Sequence, residues 1–210
     1  MESDVQFTNP TTLTVERTLP GPIERVWAYL TEPDKRARWL GGGALGQFVG
    51  GAVEIHFHNR DLSEDKQPAP PQYKHIENQA ALSGTITRFE PPHVLAHTWG
   101  DNEGEVTFEL TEKGDQVHLL LTHRRLPEDM ETRTSVAGGW HTHLGILVED
   151  LNGLARSAFW PRHTELQAHY RKQLAGRKAA RRALRGKADG EGPRVDGGQH
   201  RRLGQAAEAV

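Results

Sequence analysis

Alternating apolar and polar residues predict six strands in the first two thirds of the chain. They cover residues 13–18, 53–57, 82–89, 94–99, 105–110 and 116–123, and each has one apolar face. The connections after residue 89 are short and contain Pro91-Pro92 or glycine. Short connections favour antiparallel neighbours, because a parallel crossover needs a dozen or more residues. The pattern therefore predicts an antiparallel sheet.

Apolar residues at helical spacing predict two short helices near the N-terminus and a long helix near the C-terminus. The first follows Pro22, a residue suited to an initial helical position, and shows Ile23, Val26, Trp27 and Leu30 at this spacing. A second short helix is predicted over residues 34–39 and a further one over 162–175. The long helix carries one continuous apolar stripe: Val136, Trp140, Leu144, Leu147, Leu151 and Leu154.

Together these elements predict an α+β fold in which the curved antiparallel sheet wraps around the long C-terminal helix. The apolar face of such a sheet needs a cover, and only the helix from about Val136 is long enough to supply it. The two short helices would close one end. A space can then remain between sheet and helix, and this space is the candidate binding site.

Composition divides the chain into a folded body and a basic tail. Residues 176–210 contain nine of the 26 Lys and Arg, only four of the 28 Asp and Glu, and no aromatic residue. We therefore predict an N-terminal arm at 1–12, a domain at 13–175 and a mostly disordered tail at 176–210. The polar, proline-containing segment 59–81 interrupts the domain as a loop insertion that is either functional or disordered.

Several functional classes are excluded by residues that the chain lacks. It has no cysteine, so disulfides, iron–sulfur clusters and thiol nucleophiles are ruled out. No signal peptide or membrane span is evident, and we expect a cytoplasmic protein. The acidic body argues against specific nucleic-acid binding. Glu54, His56 and His58 share a strand face, but this face should be solvated, and we expect neither a metal nor a cofactor.

Particular motifs resemble the START-like (SRPBCC, helix-grip) superfamily, and within it the Aha-type branch homologous to activators of the heat-shock protein ninety ATPase. The segments that carry the resemblance are 13–27, 31–39, the Phe89–Trp99 strand pair, 121–127 and 138–144. The last two segments are similar to those of a bacterial single-domain subgroup. The resemblance covers about residues 13–175. It implies a helix-grip fold with a mostly apolar cavity, and it also implies a role in the stress response.

Strand parity selects the side chains that should face this cavity. Val117, Leu119, Leu121 and His123 share one face of their strand, and Leu95, His97 and Trp99 share one face of theirs. Trp140 and His143 lie three apart on one side of the long helix. The predicted ligand-binding set is Trp39, Phe57, His97, Trp99, His123, Trp140, His143, Leu144 and Leu147, and no residue is assigned as catalytic.

Three functions remain open. The first is binding of a small hydrophobic or amphipathic molecule without catalysis. The second is a cavity enzyme of cyclase or hydrolase type, with His97 or His123 as general base. The third is an interaction module such as a cofactor of a chaperone ATPase. Each histidine also has a plain structural interpretation, in which it bonds a carbonyl or carboxylate at the rim of the cavity.

Overall fold

A single seven-stranded antiparallel sheet dominates the computed structural model, which describes residues 4–77, 80–100 and 104–188. The strand order across the sheet is β1-β2-β7-β6-β5-β4-β3. The strands are β1 (Gln6–Asn9), β2 (Thr12–Pro20), β3 (Ala52–Phe57), β4 (Ala80–Glu90), β5 (Val94–Trp99), β6 (Gly104–Lys113) and β7 (Gln116–Arg124). All six predicted strands are present.

Strand β1 was not predicted, because its four residues show no apolar alternation and only Phe7 is half-buried. It pairs with β2 through the partners Gln6–Thr14 and Phe7–Leu13. The N-terminal arm predicted at residues 1–12 therefore adds an edge strand to the sheet.

Four helices accompany the sheet: α1 (Ile23–Thr31), α2 (Pro33–Arg36), α3 (Met130–Leu151) and α4 (Phe159–Ala188). Helix α3 begins six residues before Val136 because the Asp129 carboxylate accepts a hydrogen bond from the Thr132 N–H at 2.8 Å, which is an N-cap. It ends at Leu151, followed by Gly153 at φ +68°. The prediction that Leu154 belongs to the apolar stripe was wrong, since its side chain is 61% exposed.

Helix α3 is buried on both sides, since the sheet covers one side and α4 the other. A Cβ atom on Gly138 would lie 3.1 Å from the backbone nitrogen of Gln167 in α4, so glycine permits the close approach of the two helices. On the same outer side, His141 Nδ1 lies 2.6 Å from the Tyr170 hydroxyl. That hydroxyl also accepts a hydrogen bond from the Val5 N–H at 3.0 Å.

Helix α4 continues through Ala188, beyond residue 175, where the sequence analysis ends this helix. Residues 176–188 contain four alanines and four arginines, which have high helix propensity. Residues 189–210 lie outside the described part of the chain. No helix in the described part is both long and apolar enough to cross a membrane.

The insertion at 59–81 is an ordered part of the core in its described residues. It forms two short 3-10 helices, Asn59–Leu62 and Pro71–Ile76. Tyr73 stacks on Trp160 of α4 with ring centroids 5.5 Å apart, and its hydroxyl lies 2.9 Å from the Ser135 hydroxyl of α3. The insertion therefore anchors α4 to the body of the protein.

Candidate ligand-binding site

The structure brings all nine predicted site residues together between the sheet and α3. Helix α3 contributes Trp140, His143, Leu144 and Leu147, strands β3, β5 and β7 contribute Phe57, His97, Trp99 and His123, and Trp39 follows α2. Each is at most 3% exposed. We call this set the aromatic cluster.

Trp99 is the centre of the aromatic cluster. Its ring centroid lies 5.0 Å from Trp140, 5.5 Å from His123, 5.6 Å from His97 and 6.2 Å from Phe57. Because these rings are in contact, a ligand would be accommodated by moving them apart, and the cost of that movement would limit its affinity.

Trp140 and His123 form a buried hydrogen bond that links α3 to β7. The indole Nε1–H donates to His123 Nδ1 at 3.0 Å, so the proton of this imidazole lies on Nε2. Burial, with a smaller contribution from the neighbouring His97, lowers the pKa of His123 to about 3. His123 is therefore neutral near pH 7.

His143 is also neutral, and its tautomer follows from its partner. Its Nδ1–H donates to the Trp39 carbonyl at 2.7 Å, which leaves Nε2 with a lone pair. Burial is the main cause that lowers the pKa of His143 to about 3. Nε2 is buried and has no hydrogen-bond partner among the described residues.

The indole Nε1–H of Trp99 is a second buried polar group without a partner in the described chain. Trp99 and His143 share two ring neighbours, Phe57 and Trp140. One unpaired donor and one unpaired acceptor are thus present in the same aromatic cluster.

His97 stacks on Trp99 and donates its Nδ1–H to the Thr98 carbonyl at 2.9 Å. Burial lowers its pKa to about 4; the bond to Thr98 opposes this shift, and the positive charge of Arg36 adds to it. Arg36 itself contacts β3, since its Nη2 lies 3.4 Å from the Glu54 carbonyl.

Arg36 is a site residue that the sequence analysis missed. It is 2% exposed, and its guanidinium binds the carbonyls of the loop after α2. In the segment Asp-Lys-Arg-Ala-Arg, charged residues are expected on a solvated surface. The sequence does contain one indication of burial: Trp39 and Leu40 follow Arg36 by three and four residues, which places all three on the same side of a helix.

Two further groups of polar residues lie elsewhere. Glu54 and His56 are exposed, as predicted for a solvated row. Arg124 and Arg125 are about half exposed at the end of β7, where both approach the Glu105 carboxylate at 3.8 and 3.9 Å. Surface ion pairs of this kind contribute little. None of these residues joins the aromatic cluster.

A curved antiparallel sheet wrapped around a long helix is the START-like helix-grip fold. The family model described as "Activator of Hsp90 ATPase homolog 1-like protein" matches residues 20–152, and the chain belongs to this family. The match ends just after α3, so α4 and β1 lie outside it.

Solved structures agree with this assignment. The protein encoded by gene BPP1335 of Bordetella parapertussis, solved by NMR, is 42% identical, with a TM-score of 0.67 over 80% of this chain and 90% of that chain. CalU16 of Micromonospora echinospora is 23% identical (TM-score 0.54; 74% and 83%). The Aha1 dimer of Colwellia psychrerythraea is 16% identical (TM-score 0.52; 67% and 95%). The last two are similar in fold only. No curated protein matches the sequence.

Proposed function

We propose that the protein binds a small hydrophobic or amphipathic molecule between the sheet and α3, in contact with the aromatic cluster. The observation that carries this proposal is the pair of unpaired buried atoms, the Trp99 Nε1–H and His143 Nε2. Buried polar groups almost always have partners. A ligand with one hydrogen-bond donor and one acceptor would satisfy both atoms, and its apolar part would pack against the surrounding rings.

The low basicity of the buried imidazoles favours binding over catalysis. A general base works best when its pKa lies near the pH at which the enzyme operates. Burial lowers the pKa of His97 to about 4 and that of His123 to about 3. Both are poor proton acceptors near pH 7, which counts against the cyclase or hydrolase alternative.

An interaction module is the second candidate, supported by a different observation. Phe48 and Val49 are each 64% exposed at the tip of the loop between α2 and β3. Exposed apolar side chains at a loop tip suit contact with a protein partner. Stimulation of a purified bacterial heat-shock protein ninety ATPase, lost in the double variant Phe48→Ser/Val49→Ser, would support this candidate over a binder.

The main proposal is tested with phenylnaphthylamine, a neutral apolar dye whose fluorescence rises in apolar surroundings. We expect saturable binding with energy transfer from tryptophan. Trp99→Phe removes the unpaired N–H while keeping an aromatic ring, so dye affinity should change. The melting temperature should fall less than in Trp140→Phe, because loss of the unpaired N–H offsets part of the cost of the smaller ring. His97→Phe should change dye affinity and leave the melting temperature similar.

Trp27→Phe is the matched control, because Trp27 packs on Phe89 outside the aromatic cluster; it should leave dye affinity unchanged. Native mass spectrometry of freshly purified protein provides an independent readout, as a co-purified small molecule would appear as added mass. Absence of saturable dye binding together with absence of added mass would refute the proposal.

A further inference from the structure

The interior near the aromatic cluster contains a positive charge that has no counter-ion among the described residues. Arg36 lies at the end of the four-residue helix α2 and is 2% exposed. Burial lowers its pKa to about 10, so the guanidinium remains charged at neutral pH. A buried charge is costly unless it is paired.

Within the described part of the chain, every partner of Arg36 is a backbone carbonyl. Nε donates to the Gly41 carbonyl at 3.0 Å and Nη2 to the Gly43 carbonyl at 2.6 Å. Nη2 also lies 3.4 Å from the carbonyls of Gly42 and Glu54. No carboxylate of the described residues is within 4.0 Å of this guanidinium, so its charge is solvated by dipoles alone.

The third nitrogen of the guanidinium, Nη1, is buried and has no hydrogen-bond partner in the described chain. The loop carbonyls occupy Nε and Nη2 and leave Nη1 free. Fixing the loop therefore accounts for two of the three nitrogens and does not account for the third. Arg36 lies next to two elements that carry members of the aromatic cluster. Its carbonyl accepts a hydrogen bond from the Trp39 N–H at 3.2 Å, and its Nη2 lies 3.4 Å from the Glu54 carbonyl of β3, the strand that carries Phe57.

We propose that the ligand of this protein is an amphipathic anion, whose carboxylate or similar oxyanion pairs with Nη1 of Arg36 while its apolar part contacts the aromatic cluster. This inference rests on the proposed function and specifies the class of ligand. Hydrogen bonds between a guanidinium and an oxyanion are about twice as strong as neutral ones. The imidazoles of the aromatic cluster are neutral and supply no competing charge, so Arg36 determines the preferred charge of the ligand.

The test compares three ten-carbon probes that differ only in the head group: decanoate, methyl decanoate and decanol. Each competes with phenylnaphthylamine at pH 7.5, where decanoate is ionised. We expect decanoate to bind about tenfold or more tightly than either neutral probe, in line with the strength of a charged hydrogen bond. The preference should disappear in Arg36→Gln and persist in Arg36→Lys with reduced affinity.

Arg38→Gln is the matched control, because Arg38 lies two residues away and pairs with Asp150 at 2.6 Å instead of facing the aromatic cluster. It should keep the preference for decanoate even where it lowers stability. The NMR signal of the Arg36 Nε–H in the wild-type protein provides a second readout that needs no variant. That signal should shift with decanoate and not with decanol.

Each outcome decides the matter. Equal affinity for all three probes, or an Arg36 signal that does not respond to decanoate, overturns the anion proposal and leaves the proposed binding function standing. Failure of all three probes and of the dye overturns both. A decanoate preference that survives in folded Arg36→Gln shows that another cation is responsible and also overturns the proposal.

Discussion

Breaking the buried hydrogen bond between Trp140 and His123 should destabilise the fold in a way that a second substitution partly restores. Trp140→Phe leaves His123 Nδ1 buried without its donor, which costs about 1–3 kcal/mol. The smaller ring also leaves unfilled space at a fully buried position, for about 1–2 kcal/mol more. We therefore expect a total loss of about 2–5 kcal/mol in the free energy of unfolding.

His123→Phe leaves the other half of the same pair, an indole N–H, buried and unpaired. In the double variant both polar partners are gone, so neither is left buried and unpaired. The double substitution should therefore cost less than the two single substitutions added together. The double variant should therefore be about 1–3 kcal/mol more stable than the sum of the single effects implies.

Urea unfolding followed by far-UV circular dichroism measures these differences without relying on tryptophan fluorescence. Trp27→Phe provides the control, since this half-buried ring lies outside the aromatic cluster, and it should lose less than about 1 kcal/mol. If the effects of Trp140→Phe and His123→Phe add to within about 0.5 kcal/mol, the hydrogen bond does not stabilise the fold as argued.

Three further predictions concern acid stability, helix packing and the end of α4. Burial lowers the pKa values of His97 and His163 to about 4, and two more buried imidazoles are lowered to about 3. The pKa of histidine in the unfolded chain is about 6.5, so below this pH the unfolded chain binds more protons than the native protein. The free energy of unfolding should therefore fall by about 1.4 kcal/mol per pH unit for each buried imidazole, until the pH reaches the native pKa. Gly138→Ala should lower the free energy of unfolding by about 1–3 kcal/mol, because the added Cβ would press on the backbone of α4. Gly176→Ala, at a position with open space around it, should raise the free energy of unfolding by about 0.5–1 kcal/mol. Truncation after Ala175 should leave the melting temperature nearly unchanged while reducing helical ellipticity, because residues 175–179 are exposed.

Thermal unfolding measured from pH 7.5 to 5 tests the prediction of acid instability. His97→Phe should reduce the pH dependence of the free energy of unfolding by the contribution of one imidazole. A melting temperature that is independent of pH would contradict the burial of neutral imidazoles. Equal effects of the two glycine substitutions would contradict the close contact of α3 with α4. Loss of the fold on truncation would show that residues beyond Ala175 support the body.

The fold could be predicted largely from sequence because its main elements have regular periodicity. The alternation in Val117, Leu119, Leu121 and His123 places one face of β7 in the core, and all four are at most 2% exposed. The same parity argument brought His97 and Trp99 into the interior. Elements without such periodicity, β1 and the two 3-10 helices, could not be predicted in this way.

Hydrogen bonding in the site could not be predicted from sequence, because it depends on three-dimensional contacts. Nothing in the sequence links Trp140 to His123, or His143 to the Trp39 carbonyl. His141 is buried where α4 lies over α3, in contact with Tyr170, and the sequence does not show which side of α3 this helix covers. Arg36 was missed because a buried cation is rare and its partners are carbonyls, which carry no sequence signal.

The side of α3 that carries Gly138 and Thr142 should differ in composition between relatives with and without α4. Gly138 lies against Gln167 of α4, and Thr142, one turn further along α3, is buried as well, yet the shared family region ends before α4 begins. A relative whose polypeptide stops after α3 would expose this surface to water and should carry longer polar residues there. The composition of this one helical side should therefore vary together with the presence of the final helix, and we expect the two traits to be inherited or lost as a unit.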